Sequence, residues 1–158
     1  MGELLDAVRQ RAALLLEVKD PALYPGIEED VIAELAAAPG YLDAALRREA
    51  LVAQSFDIES MRRFSALASD IPVGLLYGRR PTDAELIDAS GYAAEVNINN
   101  RFADRAFVDR VHELGMRTSL YTVDGGGDMY RLADLGLDGL ITDYPIVLLD
   151  LLAQRGSR

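Results

Sequence analysis

The chain has 158 residues, half of them apolar and 27% charged, with 16 basic residues against 26 acidic ones and a formal net charge of −10 at pH 7. That length suits one domain, residues 1–158, with a sizeable core, and the balance is globular rather than disordered. The acidic charge argues against nucleic acid as a partner; with no cysteine and a single histidine, His112, disulfides and thiolate metal sites are excluded and any metal falls to oxygen ligands, hence Mg²⁺ or Ca²⁺.

The opening residues, MGELLDAVRQ, form an amphipathic helical pattern in place of a basic region followed by an apolar core. No signal peptide is expected there, no apolar run is long enough for a transmembrane segment, and the default compartment is cytoplasmic. ALLLEV (13–18) is the first predicted strand, followed by helices over GIEEDVIAELAAA and YLDAALRRE. LVAQSF (51–56) leads into the helix IESMRRFSALAS, PVGLLY (72–77) into TDAELIDAS, and AEVNI (94–98) into DRAFVDRVHEL. MRTSLYTV (116–123) precedes DMYRLADL, and DGLITD (138–143) precedes PIVLLDLLAQR.

From the second strand onward the starts repeat at a spacing of roughly 22 residues, as repeated supersecondary units do. The units lack the leucine framework of a leucine-rich repeat, and their short, uniformly apolar strands suit a parallel sheet covered by helices. A doubly wound sheet normally carries a glycine-rich first turn, where this chain has Glu-Val-Lys-Asp-Pro. The expected class is therefore α/β, a partial TIM-type (β/α) barrel with about six of the eight β/α units. In such a barrel ALLLEV and DGLITD are exposed apolar edges, and self-association through these edge strands is expected.

The chemistry concentrates in LLLEVKDPALYPGIE, 14–28. Strand alternation puts Leu15, Glu17 and Lys19 on one side, so a carboxylate and an ammonium share the C-terminal end of the first strand, the end at which such folds build their sites. A glutamate there can hold a hard divalent cation and a lysine can neutralise a phosphoryl oxygen, or the two can form a structural ion pair. The glycine-rich turn VDGGGDMYR (123–131) is either a phosphate contact or a flexible turn. In GLDGLITDYP (136–145), Gly136 ends a helix, Pro145 suits a first helical turn, and Asp143 reads as a turn or helix-start acceptor rather than a catalyst. Asn97, Asn99 and Asn100 are either pocket groups or loop residues.

LLLEVKDPALYPGIE, QSFD (54–57) and LYTVDGGGDMYRLADLGLDGLITDYP (120–145) together resemble the glycerophosphodiester phosphodiesterase family, across nearly the whole chain and in the family's order. The resemblance implies a (β/α) barrel that hydrolyses a small glycerophosphodiester to glycerol phosphate and an alcohol with a divalent cation, Mg²⁺ or Ca²⁺. It implies Glu17 as a metal ligand, Lys19 as a substrate phosphate contact and Tyr121, where the family commonly has an aromatic residue, on the glycerol side of the pocket. The family's His-Arg-Gly, Glu-x-Asp and His-Asp segments are not among these 158 residues. The resemblance thus implies a truncated barrel, from the helix before the third strand onward, with an incomplete metal site and no activity of its own. The alternatives are a glycerol phosphate-binding remnant or a structural fragment.

Overall fold

The computed structural model describes residues 2–8 and 11–156. They fall into two compact units, Met1–Leu76 and Tyr77–Arg158.

The first unit begins with α1 (Gly2–Val8) and β1 (Leu14–Glu17), then a 3-10 turn at Pro21–Leu23, α2 (Ile27–Ala37) and α3 (Tyr41–Arg47). It continues through β2 (Leu51–Ser55) and α4 (Ile58–Leu67) into β3 (Val73–Tyr77), whose last residue, Tyr77, opens the second unit. The strands are parallel and in chain order: Leu14 lies opposite Leu51, Glu17 opposite Gln54, and Gln54 in turn opposite Gly74. β2 is buried at every residue, its polar Gln54 and Ser55 included, whereas β1 alternates between half-buried and exposed positions. α2 packs Val31 and Leu35 inward, and α4 does the same with Met61 and Phe64. Its own start is fixed by Asp57, whose carboxylate accepts the Ser60 amide at 2.8 Å.

The second unit carries α5 (Asp83–Ala89), β4 (Glu95–Asn99), α6 (Arg105–Glu113), β5 (Ser119–Tyr121), α7 (Gly126–Leu132), β6 (Gly139–Leu140) and α8 (Pro145–Gly156). Here too the strands run parallel, with Asn99 opposite Tyr121 and Ser119 opposite Gly139. Val96, Ile98 and Leu120 are fully buried. Thr82 and Glu85 close a reciprocal capping box at α5, and Asp104 caps α6 through the Phe107 amide.

Six β/α units therefore stand where the periodicity puts them, but the last two strands are shorter than MRTSLYTV and DGLITD. Pairing continues beyond their ends as single contacts, a Glu95–Arg117 bridge before β5 and a bond from the Val123 amide to the Ile141 carbonyl after it. Gly139 allows a close approach, because a Cβ there would meet Ser119 Oγ at 2.6 Å and force that hydroxyl to turn aside. Gly136, with φ 79, ends the turn after α7 in the left-handed region, as its place in GLDGL suggests.

Candidate functional site

Because Glu17, Gln54 and Gly74 are register partners on successive parallel strands, their side-chain positions share one face of the sheet. Gln54 is 4% exposed on that face. Glu17 and Lys19 follow at the C-terminal end of β1, their charged groups 4.0 Å apart and their side chains 30% and 75% exposed. Val18 between them is buried on the opposite face. A cleft of about 720 Å³ opens here, lined by Glu17, Lys19, Asp20, Ser55, Phe56 and Asp57 among others.

The backbone around this pair is held from β2. The Val18 amide donates to the Gln54 carbonyl at 2.8 Å, and the buried Ser55 hydroxyl donates to the Val18 carbonyl at 2.6 Å. Asp20 then turns the chain with φ 45, in the left-handed region sparsely used by residues other than glycine.

Other carboxylates nearby have tasks of their own. Asp57 caps α4. Glu28 is buried and accepts both the Ser60 hydroxyl and the Arg63 guanidinium at 2.7 Å. Burial pushes the Glu28 carboxyl up, but the Ser60 hydroxyl, its own backbone amide and Arg63 together outweigh that and hold it below the usual glutamate value. Among the described residues no three His, Cys, Asp or Glu side chains gather as a cation site would require. A hard cation takes six or more oxygens, so the groups present, with Glu17 as the carboxylate on this face, do not complete such a site.

The structure thus brings Glu17 and Lys19 together, while Tyr121 belongs to the second unit. There, at the end of β5, its hydroxyl donates to the Tyr77 carbonyl at 2.7 Å. The neighbouring asparagines complete a polar row. Asn97 is fully buried and accepts the Ser119 amide at 2.7 Å, Asn99 accepts the Arg101 amide, and Asn100 donates to the Thr122 carbonyl. Asn97 and Asn99 alternate with Val96 and Ile98 in β4, the signal that marks these two as strand residues, whereas Asn100 opens a 3-10 turn.

Asp143 is not the local acceptor expected of it at the start of α8. Its amide donates to Asp124 Oδ1 at 3.0 Å, and the acceptor is Thr142, whose hydroxyl takes the Tyr144 amide at 3.0 Å. In the glycine-rich turn, Asp128 pairs with Arg131 at 3.1 Å inside α7. His112 lies at the other end of the strands, its Nε2 2.9 Å from Asp138 Oδ2, which also accepts the Thr118 amide just before β5.

The sequence model of the glycerophosphoryl diester phosphodiesterase family matches residues 14–147. A glycerophosphodiester phosphodiesterase of Bacillus subtilis (strain 168) is 32% identical over 149 residues, 92% of this chain and 50% of the relative. Another, from Caldanaerobacter subterraneus subsp. tengcongensis, is 28% identical over 144 residues, 89% of this chain and 56% of its own. The chain spans about half the length of the curated relatives it matches. Among solved structures, a Silicibacter pomeroyi protein named for the glycerophosphoryl diester phosphodiesterases superposes with a TM-score of 0.80 at 25% identity, covering 99% of this chain and 56% of that one. An Oleispira antarctica phosphodiesterase solved with its product sn-glycerol-3-phosphate gives 0.71 at 22% identity, covering 89% and 55%, and shows likeness of fold. The fold class is accordingly α/β, six β/α units of the partial TIM-type barrel.

Proposed function

Since the chain belongs to the glycerophosphoryl diester phosphodiesterase family, we propose that it supplies one rim of a site that hydrolyses glycerophosphodiesters to glycerol phosphate and an alcohol. The observation that carries this reading is the Glu17–Lys19 pair at the C-terminal end of β1, opening on a cleft. In it Lys19 meets a phosphoryl oxygen, and its 75% exposure leaves the ammonium accessible. Glu17 would be one ligand of a divalent cation, Mg²⁺ or Ca²⁺, and such a cation when bound would polarise the phosphoryl group. Tyr121, in the second unit, is proposed on the family resemblance alone as an aromatic contact for a glycerol moiety.

The 158 residues are proposed to be inactive by themselves. Phosphodiester hydrolysis needs a proton donor and acceptor within hydrogen-bond reach of the reacting oxygens. The one histidine in the sequence is bound to Asp138 at the N-terminal ends of β5 and β6. Lys19 nevertheless supports the second reading, a chain that binds glycerol phosphate without cleaving it. Association between copies through the edge strands ALLLEV and DGLITD belongs to the same proposal, supported at the first of them by the exposed Leu15 of β1; a further exposed apolar face lies on α8.

The test is hydrolysis of a glycerophosphodiester by the purified chain with Mg²⁺ or Ca²⁺, beside Glu17→Ala and a chelator control. No turnover is expected. Turnover abolished by both controls would overturn the claim of inactivity.

A further inference from the structure

Lys19 is mostly exposed, so few contacts of its own side chain fix its direction, and its placement depends on the backbone of β1. β1 has only four residues, and directly after Lys19 the chain turns away at Asp20. Both peptide groups of Val18, the residue between Glu17 and Lys19, are tied to β2. The amide is held by the Gln54 carbonyl in the ordinary ladder, and the carbonyl, which belongs to the Val18–Lys19 peptide, by the Ser55 side chain. The Ser55 oxygen also accepts the Asp57 amide at 3.0 Å. From there the bonds run on through the Asp57 cap to Ser60, and from the Ser60 hydroxyl to Glu28 and Arg63. One buried hydroxyl therefore joins the end of β1 to the start of α4 and, through Ser60, to α2.

We propose that Ser55 is a positioning residue: its hydroxyl fixes the Val18–Lys19 peptide and thereby sets how Lys19 meets a phosphoryl oxygen beside Glu17. The proposal rests on the functional reading of Glu17 and Lys19 given above. A hydroxyl is needed because a buried carbonyl left without a donor is costly, and the strand end would move to recover a partner.

The experiment compares the 158-residue chain with Ser55→Ala, Ser55→Thr and Lys19→Ala, reading amide hydrogen exchange by NMR and titrating sn-glycerol 3-phosphate in the presence of Mg²⁺. In Ser55→Ala the Val18 amide should exchange about tenfold faster, while the Ala53 amide, bonded to the Pro72 carbonyl at 3.0 Å, stays within about twofold of its original rate. Affinity for sn-glycerol 3-phosphate should fall about five- to tenfold in Ser55→Ala, return in Ser55→Thr, which keeps the hydroxyl on a strand-compatible side chain, and be lost in Lys19→Ala.

An unchanged Val18 exchange rate in Ser55→Ala would overturn the proposal. So would faster Val18 exchange with unaltered sn-glycerol 3-phosphate affinity, in a chain whose Lys19→Ala variant loses it. A starting chain that binds no sn-glycerol 3-phosphate would count against the Glu17–Lys19 reading, and Val18 exchange would then decide alone whether Ser55 fixes the strand end. Should Ser55→Thr fail to fold, the comparison of Ser55→Ala with the starting chain carries the decision.

Discussion

A buried carboxylate is tolerated only where its charge is answered, and Glu28 is answered twice, by Ser60 and by Arg63. Glu28→Gln removes the charge and weakens both bonds, and chemical denaturation should report a loss of about 1–3 kcal/mol. The loss has a definite pH dependence. The folded carboxyl titrates below the ordinary glutamate value of about 4.5, so Glu28 stabilises the fold fully above that value, and the contribution disappears as pH falls through the lower folded value. The gap between the two proteins should therefore be widest near neutrality and narrow below about pH 4.5. A gap that widened on acidification would show that the charged form is not the one the fold prefers. Lys19→Ala tests a different property. Its exposed ammonium makes one long contact with Glu17, worth little to stability, so the melting temperature should stay nearly constant while binding of sn-glycerol 3-phosphate is lost. A variant that melted markedly lower would mark Lys19 as structural.

Three of the helices, α4, α5 and α6, start with side-chain caps, and these are testable as elements. Asp57→Ala removes the acceptor for the Ser60 amide at the head of α4 and should cost about 1 kcal/mol by thermal or chemical denaturation. Because Asp57 also donates its amide to Ser55, the same variant should leave that bond in place, since the amide survives the substitution. Preserved Val18 exchange in Asp57→Ala would separate the cap from the strand-end tie. The elements themselves were legible because each strand is a short apolar run and each helix follows with apolar residues at three- and four-residue spacing. The Glu17–Lys19 pair was legible for the same reason, since period two alone places them on one side. Other features depend on partners distant in sequence. Ser55 reads as an ordinary strand residue until its hydroxyl is found on Val18, 37 positions away. Asp143 looked like the acceptor in ITDYP because aspartate favours such turns, but Thr142 has the geometry and the Asp143 amide is taken by Asp124. The ends of MRTSLYTV and DGLITD were overextended because apolar residues continue where regular pairing has stopped.

At the scale of the molecule the unusual feature is where apolar surface remains. In α8, Ile146, Leu149 and Leu152 are 73%, 64% and 47% exposed and follow one another at three-residue intervals, so they share a helix face. Leu15 on β1 is also exposed. An exposed apolar helix face such as that of α8 favours association, but the chain carries a formal charge of −10, and like charge on two copies repels. The two effects respond oppositely to salt. Raising ionic strength from about 0.01 M to 0.15 M shortens the screening length from roughly 30 Å to 8 Å and weakens the repulsion, while apolar contact is retained. Light scattering should therefore show an average mass that rises with protein concentration and rises further with added salt. Replacing Ile146 and Leu149 together by lysine should lower it at every salt concentration, because the contact surface loses its apolar character even as the net charge becomes less negative. A monodisperse monomer across these conditions would sink the proposal of association. A mass that fell with salt would assign the contact to charge pairs, since only those are weakened by screening.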